Sequence, residues 1–363
     1  MNVTTARHHP ATAATTTTSA ASGFTTASAS PAAAAARRGG RLAAAAAAVA
    51  GAAALALGLS AVAGTPAASA SSAPVKAAAV QLDCAAAPSA CGYPDATNTG
   101  VPAGTKLLTV PGQVSSGPGW YYDSRGWVEV DGNGADLSGL YIPMNLDITA
   151  SNVTINDVQV VTSGASSFGI SLRHTANVTI ENSTISGVNA TTGRVANAID
   201  DIYGDSTGLV VKDDNIADWR TAVQVSAGLV TGNYIHSPGY IAGDHVNGIY
   251  DTGSAQPLTI SGNTIFNSMN QTDDITLEAS ASGQTVANKT ITGNLLAGGG
   301  YSIYGGDSLG NATSDIVVTG NRFSTLYYPN SGAFGPVAYY DATGPGNTWT
   351  GNTSDATGNT ITS

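Results

Sequence analysis

The chain has 363 residues, only 10% of them charged, and 44 are glycine. That composition argues against coiled coils and ordinary helical bundles and predicts a chain that turns often. All 24 acidic residues follow Ala70, where only nine Lys and Arg accompany them, so residues 71–363 carry −15. A field of that sign argues against a nucleic-acid partner.

Residues 1–70 contain four Arg, no Asp or Glu, and long runs of Ala and Thr. They read as a disordered N-terminal extension followed by a signal peptide. Arg37, Arg38 and Arg41 precede the apolar run LAAAAAAVAGAAALALGLSAVAG, and Ala68 and Ala70 form a small-x-small cleavage signal. A retained membrane anchor is the alternative, because the run is about long enough to span a bilayer. The Arg37-Arg38 pair points to twin-arginine export and the weak flanking match to Sec. Either route predicts a secreted protein, free of the membrane once cleaved. Export to an oxidising space predicts a disulfide between Cys84 and Cys91, the only cysteines. Residues 71–130, which also hold Trp120 and Trp127, are expected to form a linker and an N-terminal cap.

From residue 152 a short phrase recurs: NVTINDVQV, NVTIENSTI, LVVKDDNI, LVTGNYI, LTISGNTI, TITGNLL, IVVTGNRF, TWTGNTS. Its key position falls at Val158, Ser183, Asp214, Asn233, Asn263, Asn294, Asn321 and Asn352, a period suited to one coil of a β-solenoid. A second phrase interleaves with it, as FGISL, NAIDD, TAVQV, NGIYD, DDITL and YSIYG. Apolar alternation bounded by Gly or Asn predicts strands, and coils that cannot bury their apolar faces alone must stack. The expected fold is all-β, a single-stranded parallel β-helix of about eight coils over residues 131–363, and the resemblance named below implies that it is right-handed. The recurring Asn is expected to take the left-handed turn conformation and to bond the Asn of the next coil. The Tyr- and Pro-rich stretch from Tyr327 to Tyr340 is expected to cover the far end or a flank.

These phrases resemble the right-handed parallel β-helix proteins of the pectate-lyase-like superfamily. The opening CGYPDATNTGVPAGTKL and the pair GNYIH and GDHVNGIYD are similar to a secreted actinobacterial branch of it. The resemblance implies a fold shared by lyases, hydrolases, epimerases and non-catalytic spikes, so it leaves the activity open. In that branch the segment at 245 reads His-x-Asp-Gly-Ile, whereas Asn247 stands here in place of the Asp. Polygalacturonases of the superfamily carry Asn-Thr-Asp, Asp-Asp and Gly-His-Gly on successive coils. That mapping fails here at two of three elements, since Asn247 replaces the first Asp and no His follows His245.

Residues flanking the central aliphatic of the second phrase are expected to face solvent together. They include Ser171, Asp200, Gln224, Tyr250, Asp274, Thr276, Ser302 and Tyr304, with Arg173, Arg220, Asp244, His245 and Glu278 at the flanking turns. The candidate catalytic residues are His245 as a proton-transfer group, Asp244 (or Asp251) setting its protonation, and Asp200 and Asp274 as acid and base. Arg220, Gln224, Tyr250, Tyr304 and Glu278 are the candidate substrate-binding residues, the tyrosines by stacking on sugar rings. Carboxylate pairs such as Asp200 with Asp201 and Asp273 with Asp274 are candidate Ca²⁺ ligands or, equally, solvated corners. The expectation is a secreted monomer that cleaves an extracellular polysaccharide by lyase or hydrolase chemistry. The alternative is a non-catalytic carbohydrate-binding or cell-surface scaffold.

Overall fold

The computed structural model describes residues 83–363, except 165, 166, 254, 280 and 281. The extension and signal peptide expected at residues 1–70 lie outside these residues. No helix among the described residues is long and apolar enough to cross a membrane. Among the described residues, apart from one 3₁₀ turn at Pro88–Cys91, the regular structure is all strand.

The strands stack into three sheets of ten, eleven and nine members, making a parallel β-solenoid of about eight coils. Each coil contributes one strand to each sheet, in the order III, I, II. One full coil runs through Thr154–Asn156 in sheet III, Gln159–Val161 in sheet I and Phe168–Leu172 in sheet II. The first sequence phrase thus holds two strands, and the second holds one. Isoleucines at matched positions stack along the interior: Ile170, Ile199, Val223, Ile249, Ile275 and Ile303 in sheet II are all fully buried and in register. Burial of these β-branched columns, at roughly 25 cal/mol per Å² of apolar area, is the main force holding the coils together.

The corner between sheets III and I is the polar seam of the core. Asn233 Nδ2 donates to Asn263 Oδ1 at 2.9 Å, Asn263 to Asn294 at 3.0 Å, Asn294 to Asn321 at 2.9 Å and Asn321 to Asn352 at 3.0 Å. Each Oδ1 also accepts the backbone N–H of the preceding rung. The expected ladder is present, with one correction to its geometry. The left-handed conformation falls on the residue before each rung, such as Asp213 (φ 56°) and Gly262 (φ 61°), not on the Asn itself. That frees the asparagine side chain to turn inward, where a buried amide needs both of its partners.

The N-terminal segment, expected to form a linker and a cap, has two parts. Only residues 108–130 sit at the first coil, where Leu108–Thr109 pairs with Leu140–Ile142 and Trp120–Tyr122 pairs antiparallel to Val128–Val130. Residues 83–107 instead run lengthwise along sheet I. The Cys84 and Ala85 amides donate to the Asp355 carboxylate of the last coil, at 3.3 and 3.0 Å. Further along, Gly100 N–H reaches Asp213 O at 2.9 Å and Val101 N–H reaches Thr184 Oγ1 at 3.1 Å. The expected Cys84–Cys91 disulfide is present and belongs to this strap. Its apolar contacts are with Phe266, Leu295 and Ala297, which is why it lies on the side wall and not across an end.

Phe323, Trp349 and Tyr340 pack together at the last coil, and Trp349 Nε1 donates to Ile361 O at 2.7 Å. The Tyr327 to Tyr340 stretch covers a flank: Tyr327 packs edge-on to Phe266 of sheet I and Phe334 against Tyr301 of sheet II.

Candidate functional site

Register in sheet II lines up one solvent-side position per coil: Asp147, Ser171, Asp200, Gln224, Tyr250, Thr276, Tyr304 and Ala338. Residues as far apart in sequence as Asp200 and Tyr304 therefore share one face, as the repeat predicts. Across this row lies a cleft of about 340 Å³ lined by Arg220, Thr221, Gln224, Asp244, His245, Asn247, Tyr250, Thr272 and Glu278, among others. His245 enters from the edge where the strands begin, Glu278 from the edge where they end.

Arg220 and His245 leave adjacent coils at neighbouring register positions, since Val223 pairs with Ile249. His245 is exposed, and its imidazole has no hydrogen-bond partner among the described residues. Arg220 is half-buried and donates from Nη2 to Asn197 Oδ1. Burial, then the nearby Arg194 charge, lowers its pKa. The other arginines of this face are all spoken for: Arg125 by Asp123, Glu129 and Asp147, Arg173 by Asp147, and Arg194 by Asp244. Arg220 alone among them has no carboxylate within ion-pair distance among the described residues. A half-buried guanidinium that feels the Asp244 and Asp200 charges but forms no direct ion pair with either, and that opens to a cleft, is poised for an anion.

The structure moves two of the four candidate catalytic residues out of that role. Asp244 is buried and clamped by Arg194, with Nε and Nη2 each 2.5 Å from a carboxylate oxygen. It also accepts the Ile241 N–H at 2.8 Å, so it shapes the loop before His245 instead of orienting the imidazole. Asp251 cannot do so either, because it points inward to the buried Lys289 at 3.2 Å. Asp274, expected on the outer face, is fully buried. A Cβ built on Gly248, at the equivalent position one coil earlier, would meet the core residue Ile265 at 2.7 Å, so this row faces the interior. Ser302, expected outside for the same reason, is likewise fully buried. Simple alternation fails here because two successive positions on these strands turn inward.

Burial, with Asp273 beside it, raises the Asp274 pKa well above the carboxylate range. Burial does the same to Asp273. Asp201 is engaged with the Ser206 hydroxyl at 2.8 Å. Among the described residues no group of three or more His, Cys, Asp or Glu side chains converges to hold a metal.

Asp200 remains on the working face. Burial pushes its pKa up to about 6, against the hydrogen bond from Asn197, and Gln224 Nε2 donates to it at 2.9 Å. Tyr250 is half-buried, its pKa raised by burial and then by the Glu278 charge. Tyr304, pushed up to about 12 chiefly by burial, lies two coils beyond Tyr250. Glu278 accepts from Ser308 Oγ at 3.3 Å. Asn247 accepts from Thr276 Oγ1 at 3.0 Å and donates weakly to the His245 carbonyl at 3.5 Å. His174 lies at the opposite strand edge from His245, bonded to Asp205 at 2.6 Å and stacked on Tyr203.

Sequence reasoning missed Arg194, Asn197 and Thr272. Arg194 and Asn197 flank the start of the NAIDD phrase, and their polar character beside an apolar repeat was the available signal. Comparison with known protein families, with curated proteins and with solved structures finds no match to this chain.

Proposed function

We propose that the protein is a secreted β-helix enzyme of the pectate-lyase-like kind that cleaves an extracellular, uronate-containing polysaccharide across sheet II. The observation that carries this reading is Arg220, a half-buried cation without a carboxylate partner in the cleft that also holds His245. A sugar carboxylate would complete the ion pair that every other arginine of the face already has, and would place the adjacent acidic carbon near the imidazole. The −15 charge of residues 71–363 is then a filter: only an anion delivered to this local cation is held.

The arrangement suits β-elimination. Arg220 neutralises the uronate carboxylate, so the carbon next to it becomes acidic. His245, whose imidazole has no hydrogen-bond partner among the described residues, removes that proton. The electron pair forms the carbon–carbon double bond, the glycosidic C–O bond breaks, and the leaving oxygen takes a proton from water in the open cleft. Tyr250 offers a ring face to a neighbouring sugar.

Hydrolysis is the second reading, and one observation favours it: Asp200, held at about 6, is a carboxylic acid able to give up a proton near neutral pH. Glu278 is the remaining carboxylate open to the cleft. Product chemistry separates the two. Ultraviolet absorbance of an unsaturated uronate marks elimination, new reducing ends without it mark hydrolysis, and retention on a glycan with neither product marks a binding protein and overturns both enzymatic readings.

A further inference from the structure

The outer side of sheet II is divided by charge along the solenoid. Its arginines all belong to the coils up to Gln224. Beyond Arg220 the chain holds only Lys289, sealed against Asp251, and Arg322, paired with Asp355. The later coils carry a ring cluster instead. Tyr301 lies 5.8 Å from Tyr304 and 5.9 Å from Phe334, and Tyr304 meets Tyr339 edge-on at 5.0 Å.

Phe334 is 69% exposed and Tyr339 49%, a large apolar exposure for a chain with so few aromatics. The exposure is built in, because Phe334 is pinned by its backbone. Its N–H donates to Gly300 O at 2.7 Å, the Ala333 N–H to Gly299 O at 2.9 Å, and the next residues pair with the Tyr301 strand. A hollow of about 360 Å³ lined by Tyr304, Phe334 and Gly300 shares His245, Thr272 and Glu278 with the cleft. The two are one continuous groove.

We infer that the Tyr301, Tyr304, Phe334 and Tyr339 cluster is a binding subsite for an uncharged sugar unit of the same polymer whose acidic unit Arg220 holds. This rests on the functional reading above and narrows its substrate class. The C–H face of a sugar gains by lying on such rings. A uronate there would meet no cation, and Glu278 would repel it. From the Gln224 rung to the Tyr304 rung is three coils, roughly 14 Å, so acidic and neutral units must occur within a few residues of each other. The favoured substrate is a heteropolymer of acidic and neutral sugars, and polyuronate homopolymers bind poorly.

The test is an array of immobilised polyuronates, neutral polysaccharides and acidic–neutral heteropolymers, probed with the intact secreted chain and with the Phe334→Ala and Arg220→Gln variants. Retention at least tenfold stronger on one or more heteropolymers than on any polyuronate is expected, with Phe334→Ala removing that preference and Arg220→Gln weakening all acidic glycans. If polyuronates are held best, or Phe334→Ala changes nothing while Arg220→Gln still weakens binding, the subsite is wrong and the cleft reading stands. Retention on no acidic glycan overturns both.

Discussion

The Asp214 carboxyl occupies the rung directly before Asn233, in the place an asparagine takes on every later coil. Its Oδ1 accepts the Ser183 N–H at 2.7 Å, and its own N–H donates to Asn233 Oδ1 at 2.9 Å. Its other oxygen is buried without a hydrogen-bond partner, at the place where the amide of each later asparagine donates to the next rung.

Asp214→Asn should therefore stabilise the protein at neutral pH by about 1–3 kcal/mol. Burial raises the Asp214 pKa well above its ordinary value, so the folded state binds a proton that the unfolded state releases. The stabilisation this group contributes is full below the unfolded carboxylate value near 3.9 and is lost as pH rises toward the folded value. Urea-unfolding curves of the two proteins should nearly coincide at pH 3 and separate progressively toward pH 7. A constant difference across that range would refute the protonated-rung account.

Lys289 is fully buried, with Nζ bonded to Asp251 at 3.2 Å and to the carbonyls of Ser226 and Gln256 at 3.0 and 2.9 Å. Burial lowers the Lys289 pKa and lifts that of Asp251 to about 7. Lys289→Met should cost about 3–5 kcal/mol by leaving the buried Asp251 carboxyl without its cation. Replacing Asp251 with Leu as well should recover part of that loss, measurable as a double-mutant cycle in thermal unfolding.

His245→Ala and Asp244→Asn should separate chemistry from architecture. His245→Ala is expected to lower the cleavage rate at least a hundredfold with the melting temperature unchanged. Asp244→Asn breaks a buried charge pair with Arg194 and should lower the melting temperature by several degrees. Equal loss of activity in both, with no change in melting, would return Asp244 to a direct role in the reaction.

Arg220→Gln removes the one guanidinium of the face without a carboxylate partner. The substitution should raise KM for an acidic polysaccharide at least tenfold while altering unfolding by less than about 1 kcal/mol, since no ion pair is broken. A large fall in stability would show that Arg220 holds the fold together instead.

The fold was legible because a solenoid writes the same burial problem once per coil. Ile199, Val223, Ile249 and Ile275 announce a stacked column, and Asn233 to Asn352 announce its polar seam. The site was less legible because alternation fixes direction only in regular strands. Gly248 and Asp274 turn inward at a position where strict period-two reading points outward, and Arg194 reaches its partner Asp244 across 50 residues. Such pairings depend on loop paths between strands, which carry no repeat. The strap was invisible for a related reason: nothing near Cys84 in sequence indicates that its amide meets Asp355.

That strap gives the molecule a folding order. A stack of coils with neighbour-only contacts can grow one layer at a time from either end, but the Cys84 and Ala85 amides at the start of the strap cannot take their partner until the layer bearing Asp355 exists. A segment that precedes every coil in sequence thus completes its contacts only with nearly the last of them, which ties the start of the strap to the final layer.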